Sequence, residues 1–269
     1  MENEKYIKDM LLGSLLGDGS IEYSNQKKKV TISFTQNGTK EVNYINYKHD
    51  LCARLWKVND VKHAHHNTIR FRFSMTEKDI INEMTDLTRY EDNSRKIPDI
   101  ELITPVALLF WYLDDGSLSV IKQKRPNGRH PSIHRKLRIA VVSFRDDDIN
   151  KFVNDFNKKY GTKLRTFIEK NSKGEKTIVA IGISNSITEI AKFLDIILPY
   201  KHLIPKEMHY KFCMCYHETQ MLKDDNYIQY NSCNFHETGI CTCTGRQKDL
   251  SECFEGSTTI ETTSNDGRE

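Results

Sequence analysis

Two aspartates stand at matching places in this chain. Asp18 closes the run Leu11-Leu12-Gly13-Ser14-Leu15-Leu16-Gly17 and precedes Gly19-Ser20; Asp115 closes Leu108-Leu109-Phe110-Trp111-Tyr112-Leu113-Asp114 and precedes Gly116-Ser117. They lie 97 residues apart. A carboxylate at the C-terminal end of a helix faces the negative pole of the macrodipole, a cost of ~0.3–1 kcal/mol unless a cation offsets it. Two such ends brought together ask for a metal. Mg2+ takes one or two carboxylates along with phosphate oxygens and water. Ions held in that way activate water and stabilise the leaving oxygen of an in-line displacement, so no protein nucleophile is required.

The elements that must position the two acids are duplicated as well. After Asp18 come the strand-like Lys29-Val30-Thr31-Ile32-Ser33-Phe34 and a helical stretch from Glu41 to Leu55. After Asp115 come a strand from Lys136 to Phe144 and a helix from Asp147 to Tyr160. Further strands follow at Thr68–Ser74 and Thr177–Ile183, then helices at Glu77–Leu87 and Ile187–Ile197, and each half closes on an Ile-Pro pair, Ile97-Pro98 and Ile204-Pro205. Hydrophobic period and turn residues give a tandem α-β-β-α-β-β-α repeat of α+β class. Its halves span residues 1–100 and 101–222, and residues 223–269 form an acidic tail outside the repeat.

Over residues 8 to 212 the order and residues resemble the LAGLIDADG homing endonucleases of the single-chain, two-motif kind. Leu108 to Gly116 is the closer match; Gly13 and Gly17 give the first helix the small residues with which such helices pack at a pseudo-twofold axis. Phe110 and Trp111 replace Gly13 and Ser14 in the second repeat, so the helix pair is asymmetric, with bulky residues of one helix expected to fill space left by small residues of the other.

The resemblance implies a pseudo-twofold fold with two antiparallel sheets forming a DNA-binding saddle along the major groove. It also implies a site-specific double-strand endonuclease, intron-encoded, that uses Mg2+ with Mn2+ as substitute and cuts across the minor groove to leave short 3′ overhangs. Asp18 and Asp115 are then the paired metal ligands. Gly17 and Asp114 precede them at the metal site; because Asp114 has Gly17 as its counterpart, its role is capping or support of the metal site rather than a symmetric catalytic one. Relatives carry a lysine just before the first Ile-Pro and another beyond the second. Arg95 and Lys96 both offer themselves at the first place and Lys211 at the second, to polarise water or neutralise the transition state. An arginine is the poorer base because it stays charged.

Charge supports a polyanion partner. The chain carries 40 Lys/Arg against 37 Asp/Glu, but residues 223–269 hold 4 against 9, leaving the repeats with 36 against 28 and a charge of +8. In Thr68–Ser74 the apolar Ile69, Phe71 and Phe73 alternate with Arg70 and Arg72; Lys29, Thr31, Ser33 and Thr35 form a similar outward row, as do Lys136 and Arg138. Such rows can read base edges in the major groove or be an ordinary solvated face. The basic loop Lys122 to His130, with Lys124 and Arg125, suits phosphate contacts, and a solvated hairpin tip is its plain alternative.

Several alternatives are disfavoured. His63, His65 and His66 read as surface residues rather than metal ligands. The tail's Cys233, His236, Cys241, Cys243 and Cys253 do not follow a familiar zinc pattern, and the tail composition favours disorder. No apolar run is long enough to span a bilayer and the N-terminus does not read as a signal peptide, which gives the expectation of an intracellular monomer, in an organelle or a bacterial cytoplasm, with no membrane partner. Its expected partner is double-stranded DNA with a long asymmetric site. An RNA maturase that assists splicing of its host intron is the alternative; both aspartates favour the nuclease, since RNA binding alone needs neither. An intein-borne nuclease is disfavoured because no splicing block flanks the repeats.

Overall fold

Ile7, Met10, Leu11 and Leu15 recur at helical spacing and bury one side of helix α1 (Glu2–Leu16). In this computed structural model, which describes residues 2–23, 30–38, 41–64, 67–123, 132–170, 174–205, 208, 211–212, 240–241 and 248–249, α1 packs along its counterpart α4 (Pro105–Asp115). The start of α4 is written locally: the Thr104 side chain accepts from the Ala107 N–H at 3.2 Å and Pro105 opens the first turn. All residues from Val106 to Leu113 are buried, as a helix covered on every side requires.

Close approach of the two helices depends on glycine. A Cβ on Gly13 would lie 2.1 Å from the Ala107 carbonyl oxygen, and one on Gly17 would lie 2.4 Å from the Asp114 Cβ. Ala107 therefore sits against the Gly13 backbone, and the bulky residues of α4 turn elsewhere. Phe110 stacks on Tyr47 at 6.4 Å between centroids, while Trp111 packs edge-on against Phe144 and Phe152. The expected filling of the small-residue face by Phe110 and Trp111 is not what happens; these rings fasten α4 to elements on either flank.

The predicted element order is the observed one. The first half adds β1 (Gly19–Tyr23), β2 (Val30–Asn37), α2 (Val42–Ala53), β3 (Lys62–His63), β4 (Thr68–Arg72) and α3 (Lys78–Thr88). The second adds β5 (Gly116–Gln123), β6 (Ser132–Ala140), α5 (Asp146–Tyr160), β7 (Arg165–Lys170), β8 (Lys176–Ser184) and α6 (Ile187–Ile197), which runs into a 3-10 turn at Leu198–Leu203. Two antiparallel four-stranded sheets result, ordered β1-β2-β4-β3 and β5-β6-β8-β7. The pairing Gly19↔Phe34 has its counterpart in Gly116↔Ile139, so in each half the strand pairing begins at the glycine that follows the motif aspartate.

Alternation decides which sheet face is covered. Ile32, Phe34, Ile69 and Phe71 are buried, as are Leu137, Ile139, Ile181 and Ile183, and each buried Phe or Ile contributes about 1.5–3 kcal/mol. Strand β6 ends earlier than its apolar residues predict. Val141 still donates to Val179 O at 3.1 Å, but Phe144 N folds back onto Val141 O and Val142 is left 65% exposed, so the run through Phe144 leaves the sheet in a turn. The linker between α3 and α4 is tied to the second half by Tyr90 Oη, which donates to Asp148 Oδ1 at 2.6 Å. Within the tail a short antiparallel pair, β9 (Ile240–Cys241) and β10 (Lys248–Asp249), is described; Cys233, His236, Cys243 and Cys253 lie outside the described residues.

Candidate functional site

Because α1 and α4 run side by side and both end at their motif, the chain delivers Asp18, Asp114 and Asp115 to one place. Asp18 keeps contact with solvent, yet the surrounding protein pushes its carboxyl up to about 6, first through burial and then through the neighbouring Asp114. Asp115 is pushed to about 7, again by burial first, then by Asp18 and Asp114. Lys48 and the Gln36 amide oppose the shift at Asp18, and Arg95 and Lys211 oppose it at Asp115. Two acids whose carboxyls are raised by the surrounding protein and by neighbouring carboxylates concentrate negative charge at one place. Hard oxygen donors in that setting fit Mg2+. Among the described residues no three His, Cys, Asp or Glu side chains are grouped to hold a metal by themselves.

This arrangement predicts a pH dependence of stability. A carboxyl whose folded pKa is raised stabilises the fold fully below its unfolded value, near 4, and that contribution disappears as pH rises through about 6 for Asp18 and 7 for Asp115. In a chelator the melting temperature should therefore fall between pH 5 and pH 8 by more in the native protein than in the Asp115→Asn variant. Ca2+ at pH 8 should restore it in the native protein. Equal pH slopes for the two proteins would remove Asp115 from the buried charge cluster.

Asp114 is held apart from its neighbours. Its Oδ1 accepts from Tyr44 Oη at 2.6 Å and from Lys48 Nζ at 2.9 Å, with Gln36 Nε2 at 3.5 Å; the Lys48 and Asp114 side chains are fully buried. Gln36 also donates to Asp18 Oδ2 at 3.1 Å. Sequence reasoning missed Gln36, Tyr44 and Lys48. A signal existed in α2, where Lys48 falls within the buried stripe Tyr44, Ile45, Lys48, Leu51 and Cys52; a lysine in such a stripe needs a counter-ion.

Two cations close the ends of the motif helices. Arg95 Nη2 donates to Leu15 O at 2.7 Å and Gly17 O at 2.9 Å, Nη1 donates to Ser143 Oγ at 2.9 Å, and the guanidinium lies 4.6 Å from the Phe144 ring centre. Lys211 Nζ donates to Leu113 O and, at 3.2 Å, to Asp114 O. Both thus offset the negative helix end that made the two aspartates conspicuous. Burial draws Arg95 and Lys211 below their ordinary ranges while the surrounding carboxylates act the other way. Lys96 points elsewhere, its Nζ lying 5.9 Å from the Tyr90 ring centre.

The outward rows of the sheets carry the predicted base-reading side chains. In the first sheet, Arg70 lines up with Thr35 and Arg72 with Ser33, and both arginines contact Glu22 on β1; Ser33, expected in the outward row, is instead fully buried on that face. In the second, Lys136 and Arg138 gather with Arg165 around Phe167 at 5.6, 4.4 and 5.1 Å from its ring centre, and Arg138 also approaches Glu169 at 3.7 Å. Neither acid nor the half-buried Phe167 was singled out from sequence, where only cations at alternate positions were sought. Lys29, Lys124 and Arg125 lie outside the described residues, as do His65 and His66; His63 is exposed on β3.

Known proteins share this architecture. The I-WcaI homing endonuclease, solved bound to its DNA recognition sequence, aligns with a TM-score of 0.54 at 21% identity, covering 77% of this chain and 85% of that one. The I-SmaMI homing endonuclease bound to cleaved DNA aligns at 0.51 and 15% identity, covering 86% and 94%. Among curated sequences, a Protein RecA from Mycolicibacterium flavescens is 25% identical over 75% of this chain and 45% of its own length. The cytochrome b mRNA maturase bI2 of Debaryomyces hansenii is 26% identical over 60% of this chain and 59% of its own. The chain thus spans about half the length of the curated relatives it matches. With the family description "LAGLIDADG DNA endonuclease family" matching residues 8–190, from the first motif through both sheets, the chain belongs to that family.

Proposed function

We propose that the chain is a site-specific double-strand DNA endonuclease of the homing type, dependent on a divalent ion and acting as a monomer. The observation that carries this reading is the meeting of Asp18 and Asp115 at the adjoining ends of α1 and α4, flanked by two sheets whose outward rows are rich in Arg, Lys and Thr. Mg2+ bound by the two carboxylates would supply Lewis-acid stabilisation of the displacement at phosphorus and make a nearby water more acidic. The protein's part is positional. Gln36 orients the Asp18 carboxylate, and Arg95 and Lys211 anchor the backbone on which Asp18 and Asp115 stand. Arg70, Arg72, Lys136 and Arg138 face outward for base and phosphate contacts, with Arg able to bridge guanine O6 and N7.

Selection from randomised duplexes in Ca2+, followed by addition of Mg2+ or Mn2+, tests the proposal. One sequence should be enriched and then cut on both strands, with cutting abolished by a chelator. Enrichment of no duplex sequence, or cutting that persists in the chelator, would overturn it. A second reading comes from the similarity to the maturase: the chain assists splicing of an intron RNA. Faster splicing of the intron that carries the reading frame, with no duplex cut, would establish that role in place of the nuclease.

A further inference from the structure

A carboxylate on a surface that meets DNA weakens binding unless it does something there. Glu22 is such a group: it lies on the edge strand β1, opposite Thr31, on the same sheet face as Arg70 and Arg72. Its Oε2 lies 2.7 Å from Arg72 Nη2 and its Oε1 lies 3.7 Å from Arg70 Nη1, so one acid on the edge strand reaches across β2 to both arginines of β4. All three side chains remain about one-third exposed, which leaves them open to a ligand. Arg72 Nε is buried, so the part of its guanidinium open to the groove is the Nη end.

We propose that Glu22 is a specificity-determining positioning residue: it fixes the Arg72 guanidinium for end-on pairing with a guanine edge and penalises DNA that does not offer one. The inference rests on the DNA-binding reading above. An unrestrained arginine can swing to the nearest phosphate, which every sequence provides and which carries no sequence information. Held by a carboxylate, it has one direction left, and leaving the carboxylate for a phosphate costs a charge-assisted contact. Repulsion between Glu22 and the backbone meanwhile lowers affinity for all duplexes, and only a guanine in the right place offsets that loss. Specificity here comes partly from weakening the wrong complexes.

Full-length protein and its Glu22→Gln variant, which keeps the side chain's shape and removes its charge, should be compared in Ca2+. The duplexes are the selected target, a set carrying each single base-pair change, and an unrelated sequence. The variant should bind the unrelated duplex more tightly, and its discrimination at one or two G·C pairs should fall by at least about fivefold, the lower range for one bidentate arginine contact. Glu22→Asp should recover part of that discrimination. An equal gain on every duplex would overturn the proposal by making Glu22 a bulk charge only. Should Glu22→Gln melt early, Arg72→Lys provides the second route: it keeps the charge but loses the fork, and it should lose discrimination at the same pairs. If native protein binds no duplex selectively, the DNA-binding reading fails first and the two failures are told apart.

Discussion

Asp18→Asn and Asp115→Asn should each lower double-strand cleavage by at least about a hundredfold, the upper range for disturbing even the outer partners of a metal ligand. Binding to the selected duplex in Ca2+ should persist, because the contacts proposed to hold DNA lie on the sheets and not on the two aspartates. Asparagine keeps size and hydrogen-bonding capacity. At position 18 it can still receive the Gln36 amide, so folding should survive. Removing a carboxylate that the cluster already drives towards neutrality should even raise the melting temperature in chelator at pH 8. That combination of a firmer fold, intact binding and lost cutting separates a metal-site role from a structural one. Cleavage by both variants at the native rate would remove the metal-site assignment.

Lys48→Met should be the most damaging substitution outside the two aspartates. Lys48 and Asp114 are fully buried and 2.9 Å apart, and removing one member of such a pair typically costs about 3–5 kcal/mol because the other charge stays buried. Tyr44 and Gln36 would still donate to Asp114, which favours the lower end of that range. The Asp114→Asn variant should also be destabilised, because it leaves the buried Lys48 ammonium without its carboxylate, and Lys48→Met combined with Asp114→Asn should lose less than the sum of the two, since the double change leaves no lone charge. Urea unfolding of the four proteins measures the coupling. Strict additivity would show that the buried contact contributes nothing of its own.

Periodicity carried most of the fold. Alternation at Thr68–Ser74 and Lys136–Ile139, and apolar spacing at Ile187–Ile197, place strands and helices with the observed order, because each element buries one face and exposes the other. It failed where apolar residues leave a sheet, as from Val141 to Phe144, since a turn over buried surface uses the same residue types as a strand. The two aspartates were legible because the motif repeats. Their surroundings were not: Lys48 meets Asp114 across 66 residues of sequence, and only the crossing of α2 with the end of α4 brings them together. Between Arg95 and Lys96 sequence offered no choice. The path of the linker decides, turning Arg95 to the carbonyls of α1 and Lys96 to Tyr90.

The missing side chain at Gly17 has a consequence for ancestry. Tandem halves of this kind suggest duplication of a segment that once paired with its own copy, but each half is now fitted to the other and poorly fitted to itself. Two second halves face to face would set one Asp114 against the other, where the present contact leaves only 2.4 Å for a single added carbon. Two first halves would meet glycine to glycine and leave each buried Lys48 without the Asp114 carboxylate it now contacts. Bulk and charge have each been assigned to one side alone, so covalent linkage now supplies in fixed ratio two unlike partners that would reject themselves.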